Sequence, residues 1–382
     1  MKPLKSRDEL KEMKKILVIS NMYPSKEYPH YGVFVRNAAE ILRNGGYQVT
    51  VCAIPKCDNR LLRLFAYGWA YTKCIFLGTF GKYDCLYAHF VSHTAVPARI
   101  LKKIHPKMYL VENAHGNDIT IQTEEDDGKN IERSRKILPL ADRVIVPSTY
   151  FKDVVSNTFD YPSDKIFVSP SGGVNREILY AIDQKPARKQ CGLETDAYYI
   201  GLIGRITSGK GWDTALYAIK IIQQKNLIPN LRLLIVGSGN QNELLEQELE
   251  KLDLKAITER RPFCAQKDLK GYFSSLNLFV FASESESLGL VGLEAMACEA
   301  FCICSNNFGI ATYATNEENC LMFEKGNVEQ LAQTIENAFK ISASERERII
   351  QNGLKTAARY DRKVISEEFV QFFDGLLGKR QW

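Results

Sequence analysis

Short apolar runs alternate with helix-length segments along most of the chain, and this alternation restricts the fold more than any other feature of the sequence. The run KKILVIS (14–20) precedes a segment with helical spacing, Val33 to Arg43, and a pair of glycines ends that segment. Repeated βα units predict a parallel sheet with helices on both faces. Further strand candidates in the first half are QVTVCAI (48–54), CLYAHF (85–90), KMYLVENA (107–114) and ADRVIVPS (141–148).

The alternation restarts after a polar segment, Tyr180 to Cys191, which predicts a linker. The second half offers helices from Trp212 and Asn242, a weak strand at Ala256–Thr258, and a final helix over Lys363–Gly378. A length of 382 residues suits two domains. The sequence therefore predicts two Rossmann-like, doubly wound α/β domains. The second-half strand candidates are YYIGLIGR (198–205), LRLLIVG (231–237), LNLFVFA (276–282) and AFCICS (300–305).

Composition places the chain among ordinary globular proteins, with 45% hydrophobic and 25% charged residues. No apolar stretch approaches the roughly 18–20 residues that a membrane span requires. The N-terminal segment is charged, and ILVIS is too short for a signal peptide, so a cytoplasmic protein is expected. The ten cysteines agree with a reducing compartment. Those in AMACEAFCICS are expected to be buried thiols, although a metal cluster is the alternative.

The segment ESLGLVGLEAMA, Glu286 to Ala297, follows a predicted buried strand. Gly289 allows close approach of the backbone, and the amides from Leu290 onward open a helix whose N-terminus attracts anions. Glu294 lies about one turn into this helix, where a carboxylate can accept hydrogen bonds from a ribose diol. The pattern fits a ligand with phosphate and hydroxyl groups, but two solvated or capping glutamates would also produce it.

A second cluster, GRITSGKGW, begins at Gly204 directly after a predicted strand. Arg205 and Lys210 lie on a loop with two glycines, just before the helix expected from Trp212. Two cations on such a loop form a candidate clamp for a diphosphate. The lysine lacks the spacing and the Ser/Thr neighbour of a Walker A loop. The nearby VGSGN lacks the third glycine of a dinucleotide site, which makes a nicotinamide role weak.

These two segments resemble the E-x7-E and G-R-x-x-x-x-K-G motifs of the retaining glycosyltransferases of family 4, which have the GT-B fold. The resemblance covers about residues 14–378. It implies an acceptor-binding domain (1–182) and a nucleotide-sugar domain (183–360) that face a central cleft. It also implies that a C-terminal helix (361–382) crosses back to the first domain. Arg205 and Lys210 would then hold the donor diphosphate, Glu286 would orient the sugar, and Glu294 would bind the ribose.

Further site residues follow from the same resemblance. His115, in the loop ENAHGNDI, corresponds to the family's histidine that contacts the transferred sugar. Gly32 would lie near the donor phosphate and the acceptor, and Gly237 near the donor base. Because the chain has no D-x-D motif, no divalent metal and no cofactor beyond the nucleotide-sugar donor are expected. A UDP-sugar is favoured over a GDP-sugar, and the family relationship implies retention of the anomeric configuration.

Several alternatives stay open at this point. The two glutamates could form a glycosidase pair, although a hydrolase needs no diphosphate clamp. A GT-B sugar-nucleotide epimerase and a non-catalytic glycan-binding subunit are further possibilities. His89 and His93 have helical spacing for a metal pair, but no third ligand is placed. The segment NNFGIATYAT, after the strand candidate at 300–305, lacks the glutamate that the family usually carries there.

Charge is distributed unevenly along the chain. Residues 1–180 contain 26 Lys and Arg against 19 Asp and Glu, whereas the remainder contains 24 against 26. Within 51–83 five basic residues lie among leucines and aromatic residues with a single acid, Asp58. This pattern suggests docking on an anionic membrane and a saccharide or lipid-linked acceptor, although a core helix with a solvated basic face would also produce it. The modest net charge of +5 argues against nucleic acid.

Overall fold

The computed structural model describes residues 13–28, 31–57, 59–120 and 128–378. The chain forms two α/β units, each built around a six-stranded parallel sheet, which confirms the predicted fold class. The first unit extends to Gly172 and resumes at Ile365, and the second comprises Gly173–Val364. The boundary therefore lies ten residues before the expected division at 182/183, and the return to the first unit begins four residues after the expected 361.

The first unit has the strand order β2-β1-β3-β4-β5-β6. Strands β1 and β3 have almost entirely buried side chains, as expected for a sheet covered on both faces. Its strands are β1 Lys15–Ser20, β2 Gln48–Ala53, β3 Cys85–His89, β4 Tyr109–Asn113, β5 Arg143–Val146 and β6 Ile166–Val168. Its helices are α1 Val33–Asn44, α2 Arg60–Phe80, α3 Val91–Ile104, α4 Lys129–Ile137 and α5 Thr149–Phe159. None of the described helices is long and apolar enough to cross a bilayer.

The last helix of the chain, α13 (Arg362–Leu377), packs through its C-terminal part on the first unit's sheet. Phe369 and Phe373 are buried beside Tyr87 of β3. The hydroxyl of Tyr47 donates a hydrogen bond to the Asp374 carboxylate, with 2.5 Å between the oxygens. Apolar burial and this hydrogen bond together hold the helix on the unit.

The second unit has the strand order β12-β11-β10-β7-β8-β9. Because β7 is flanked by β8 on one side and β10 on the other, successive connections leave it in opposite directions. Ligands of open α/β sheets bind at such a switch point, beyond the carboxyl ends of the strands. Its strands are β7 Tyr198–Ile203, β8 Leu231–Val236, β9 Thr258–Arg261, β10 Leu278–Phe281, β11 Cys302–Asn306 and β12 Leu321–Glu324. Its helices are α6 Gln184–Cys191, α7 Trp212–Gln224, α8 Asn242–Lys251, α9 Leu269–Ser275, α10 Leu290–Ala297, α11 Val328–Lys340 and α12 Ala343–Arg359.

One sequence prediction about this unit is wrong. The polar segment predicted as a linker contains helix α6, whose Arg188 is buried and donates hydrogen bonds to the Ser275 carbonyl and the Asn277 side chain. The weak strand predicted near Ala256–Thr258 is present and runs over Thr258–Arg261, after a short 3-10 turn. The predicted thiols are as expected: the cysteines of 298–304 are buried and free, and the described residues contain no group of metal ligands.

Candidate active site

The loop between β7 and α7 carries the predicted cations and is fixed by its glycines. Gly211 has a φ of 65°, and a Cβ there would lie 1.9 Å from the carbonyl oxygen of Ala282, so no other residue fits. The Gly209 carbonyl accepts a hydrogen bond from the Glu284 amide at 2.9 Å. The loop that follows β7 is therefore held directly against the loop that follows β10.

An ion pair joins the two predicted motifs across 76 residues of sequence. Lys210 Nζ lies 2.6 Å from Glu286 Oε1, and the Ser283 hydroxyl donates to the same oxygen at 2.9 Å. The side chains of Lys210 and Glu286 are only 22% and 17% exposed. A half-buried pair in such a setting is screened less by solvent than a surface pair. Lys210, predicted to bind the diphosphate, and Glu286, predicted to orient the sugar, are therefore in direct contact.

Helix α10 begins at the wall of the same site. Gly289, with a φ of 85°, caps the helix, and its carbonyl accepts a hydrogen bond from the buried hydroxyl of Tyr313 at 2.9 Å. Among the residues that the structure describes, no side chain caps the helix N-terminus, so its first amides stay available to an anion. A cavity of about 240 Å³ lies here, and its walls include Arg205, Lys210, Glu286, Gly289 and Leu290. Five of the predicted site residues therefore meet at one switch point.

Gly237 does not line the cavity; it packs against the loop that forms part of the cavity wall. A Cβ at Gly237 would lie 1.8 Å from the carbonyl oxygen of Gly204, and one at Gly239 would lie 2.0 Å from that of Ile206. These glycines therefore allow the loop after β8 to pack on the cation-bearing loop.

Glu294 lies one turn into α10 and is almost fully buried. Burial raises the pKa of its carboxyl to about 7, and the hydrogen bond that Gln266 Nε2 donates to its Oε1 at 2.5 Å opposes this rise. The exposed Gln266 thus covers a carboxylate whose charge is costly to bury. A buried carboxyl group with a raised pKa is typical of functional sites.

Glu294→Gln is expected to stabilise the protein above neutral pH. The folded pKa of about 7 exceeds the ordinary value of 4.5, so the wild-type fold loses stability as pH rises through this interval. The glutamine variant should therefore gain little at pH 5 and about 3 kcal/mol in free energy of unfolding at pH 8. Urea unfolding of both proteins at each pH measures the difference. An equal effect of the substitution at pH 5 and pH 8 would contradict this assignment.

His115 lies in a different setting, after β4 of the first unit. Its Nε2 is 3.1 Å from His89 Nδ1, and Phe34 packs on its ring with centroids 4.7 Å apart. Burial lowers the pKa of His115 to about 3, so the ring is neutral. The ring of His89 contacts that of His115, whereas the ring of His93 contacts the Ser92 hydroxyl. The metal pair considered for His89 and His93 is not formed.

The loop that carries His115 is organised by a buried carboxylate. Asp118 accepts hydrogen bonds from the amides of Val91, His115 and Gly116 at 2.8–3.0 Å, which makes it a structural residue. Gly32 is the left-handed N-cap of α1 and packs against the loop that follows β1. A Cβ on Gly32 would lie 2.6 Å from the carbonyl carbon of Met22. Both loops follow carboxyl ends of strands in the first unit.

Sequence reasoning missed several residues that shape the second unit's site. The Asn307 side chain, buried after β11, donates to the Ser283 carbonyl at 2.7 Å, and Ser283 in turn binds Glu286. Gly309 passes so close that a Cβ would lie 2.0 Å from the Glu286 carbonyl oxygen. Asn307 and Gly309 could have been predicted as site residues, because the segment NNFG follows the strand next to β10. Loops that follow adjacent parallel strands lie at the same edge of the sheet. No comparable sequence pattern points to Gln266.

Comparison with known proteins identifies the family of this chain. Residues 183–356 match the family model described as glycosyl transferases group 1, and residues 31–173 match the model described as glycosyltransferase family 4. The two matched segments together cover most of the chain. The chain belongs to the glycosyl transferases group 1 family, and its two α/β units have the architecture of the GT-B fold. The predicted family is thereby confirmed.

Curated relatives are distant. The chain is 28% identical over 211 residues to the capsular polysaccharide biosynthesis glycosyltransferase CapM of Staphylococcus aureus, spanning 54% of each protein. It thus spans about half the length of that relative. It is 25% identical to the uncharacterized glycosyltransferase MJ1607 of Methanocaldococcus jannaschii, over 94% of this chain and 97% of the relative.

Among solved structures, sucrose-phosphate synthase from Thermosynechococcus elongatus matches with a TM-score of 0.79 at 20% identity, covering 96% of this chain and all of the other. Anabaena Alr3699/HepE in complex with UDP matches with a TM-score of 0.75 at 18% identity, covering 95% and 100%. At these identities the likeness establishes the fold.

Proposed function

We propose that this protein transfers a sugar from a nucleotide-sugar donor, a UDP-sugar in preference to a GDP-sugar, with retention of anomeric configuration and without a divalent metal. The observation that carries the proposal is the Lys210–Glu286 pair, which lies with Arg205 beside the uncapped N-terminus of α10. The cations and the helix amides supply the positive charge that a departing nucleoside diphosphate requires. They occupy the role that a metal ion fills in other transferases.

Each side chain then has a distinct role. Arg205 and Lys210 bind the diphosphate, while Glu286, held by Lys210 and Ser283, orients the sugar. Glu294 accepts hydrogen bonds from the ribose hydroxyls once Gln266 releases its oxygen. His115 is proposed to contact the transferred sugar as a neutral ring, since its lowered pKa excludes an imidazolium.

The acceptor is proposed to be a saccharide or a lipid-linked saccharide used in cell-surface polysaccharide or glycolipid synthesis. The names of the relatives support this: CapM acts in capsular polysaccharide biosynthesis, and Rhizobium meliloti LpsD acts in lipopolysaccharide core biosynthesis. Support for UDP comes from the HepE structures, which were determined with UDP and with UDP-glucose.

A panel of nucleotide sugars tests the proposal. The protein is incubated with UDP-, GDP- and ADP-sugars in excess EDTA, and ¹H NMR follows each donor. We expect slow hydrolysis of one UDP-sugar, with the sugar first released in the donor's own anomeric configuration. Loss of activity in EDTA, restored by Mg²⁺, would contradict metal independence, and an inverted product would contradict retention.

The same spectra separate the alternative functions. Interconversion of one nucleotide sugar into another would identify an epimerase. Binding of UDP without turnover of any donor would identify a non-catalytic subunit. Either result would overturn the proposed transfer reaction.

A further inference from the structure

Helix α2 turns an apolar face to solvent. Phe65, Trp69, Phe76 and Phe80 are between 61% and 76% exposed, and Leu61 is 67% exposed. Their spacing of four or seven residues places them along one side of the helix. The opposite side, with Ala70, Cys74 and Gly78, is buried. The helix is therefore apolar on both its buried and its exposed side.

Packing within the described part of the chain gives no reason for this exposed side. Exposed large apolar side chains grouped on one side of a helix mark an interaction site. Burial of its large aromatic side chains against a partner would be favourable. The α2 side chains at 61, 62, 64, 65, 69, 76 and 80, which we call the α2 apolar face, thus require a partner.

Helix α3 extends this surface. It packs on α2 through Leu101, whose methyl groups leave no room for a Cβ at Gly78. Its own exposed apolar residues, Val96, Ile100 and Ile104, recur every four positions. The two helices therefore form one structural block, and both carry apolar side chains into solvent.

Charge on the two helices has one sign. Neither α2 nor α3 contains an acidic residue, whereas each contains three basic residues. Lys102 is paired with Asp142, and the other five are exposed: Arg60, Arg63, Lys73, Arg99 and Lys103. Asp58, the single acid noted near α2 in the sequence, lies outside the described residues.

A groove of about 550 Å³ lies beside the C-terminal ends of α2 and α3. The exposed Lys82 and Lys107 line it together with Ile104, while its acid, Asp84, is already paired with Lys14 at 3.1 Å. Positive charge next to apolar surface is the arrangement found on helices that lie in the interface of anionic lipid.

We infer that the α2–α3 block docks on an anionic membrane surface, with the α2 apolar face in the acyl boundary and the basic residues at the headgroups. No described helix can cross a bilayer, so the association is peripheral. This inference extends the proposed function by naming the surface that would bring the enzyme to a lipid-linked acceptor. Lipid binding needs no donor, so its failure is distinguishable from failure of the transfer proposal.

Flotation of the full-length protein with vesicles tests the inference. One set contains phosphatidylcholine only, and the other contains phosphatidylcholine with 40% phosphatidylglycerol. We expect flotation with the anionic vesicles, weakening as KCl rises from 50 to 500 mM. Lys73→Glu/Lys103→Glu should weaken binding about 30-fold or more, at about 1 kcal/mol per basic residue removed. Phe65→Ser and Trp69→Ser should each weaken it about tenfold.

Matched controls change the second unit. Lys185→Glu/Lys355→Glu reverses two exposed lysines, and Leu244→Ser removes an exposed apolar side chain. These variants should float like the wild type. Equal urea-unfolding midpoints for all variants show that the α2 variants are folded, whether or not the protein turns over a donor.

Three results would overturn the inference. They are equal flotation with both vesicle types, equal loss in the control variants, and no flotation with the anionic vesicles. If the third result comes with concentration-dependent dimerisation in sedimentation velocity that Trp69→Ser abolishes, the face is assigned to a second copy of the chain.

Discussion

Glu286→Gln is expected to lower kcat for sugar transfer about 10³-fold and to leave UDP affinity essentially unchanged. The Glu286 carboxylate lies 2.6 Å from Lys210 Nζ and 2.9 Å from the Ser283 hydroxyl, so its position is set before any ligand arrives. Glutamine has the same shape but no charge. Removing a group that stabilises the transition state in a half-buried site typically lowers kcat by 10²–10³-fold, which corresponds to about 3–4 kcal/mol.

The measurement compares kcat at saturating donor with the Kd of UDP from calorimetry. Glu284→Gln is the matched control, because Glu284 lies in the same loop and its side chain makes no hydrogen bond or ion pair with the described residues. It should retain wild-type turnover. Turnover near the wild-type value in a folded Glu286→Gln protein would remove Glu286 from the reaction.

Arg205→Met and Lys210→Met are expected to weaken UDP binding about 10–100-fold each, while uridine binding stays near wild type. Both cations line the cavity at the start of α10, and a hydrogen bond to a charged group contributes about 1.5–3 kcal/mol. Since uridine lacks the diphosphate, it should not sense their loss. Lys220→Met, on α7 outside the cavity, is the control.

The two substitutions should differ in turnover. Lys210→Met also removes the counter-charge of Glu286, so kcat should fall even at saturating donor. Arg205 has no ion pair within the described residues, and its loss should act mainly on donor affinity. Equal weakening of UDP and uridine by either variant would contradict the clamp.

Much of this architecture follows from periodicity alone. Strands β1, β7, β8 and β10 lie where apolar runs predicted them, and α1, α7 and α8 begin at the expected residues. Ser148 caps α5 by accepting a hydrogen bond from the Phe151 amide. These elements are decided locally, by alternation of apolar residues and by turn chemistry, which a sequence displays directly.

Long-range side-chain pairing could not be predicted in the same way. The motifs pointed to Arg205, Lys210 and Glu286 separately, but the direct Lys210–Glu286 contact depends on the placement of β7 beside β10. The contact of Gln266 with Glu294 and that of His89 with His115 depend on loop geometry. Helix α6 was predicted as a linker because a sequence rich in charged residues suggests a solvated segment. Its Arg188 is buried because it donates hydrogen bonds to the carbonyls of Ser275 and Thr195, and these partners cannot be identified from sequence.

A crystal structure of the protein with UDP tests the central claim most directly. The account predicts that the diphosphate lies at the N-terminus of α10, within hydrogen-bond distance of Arg205 and Lys210. It also predicts that the ribose hydroxyls bind Glu294, with Gln266 displaced from its present contact at 2.5 Å. UDP bound elsewhere, or a ribose that leaves the Gln266–Glu294 hydrogen bond intact, would contradict it.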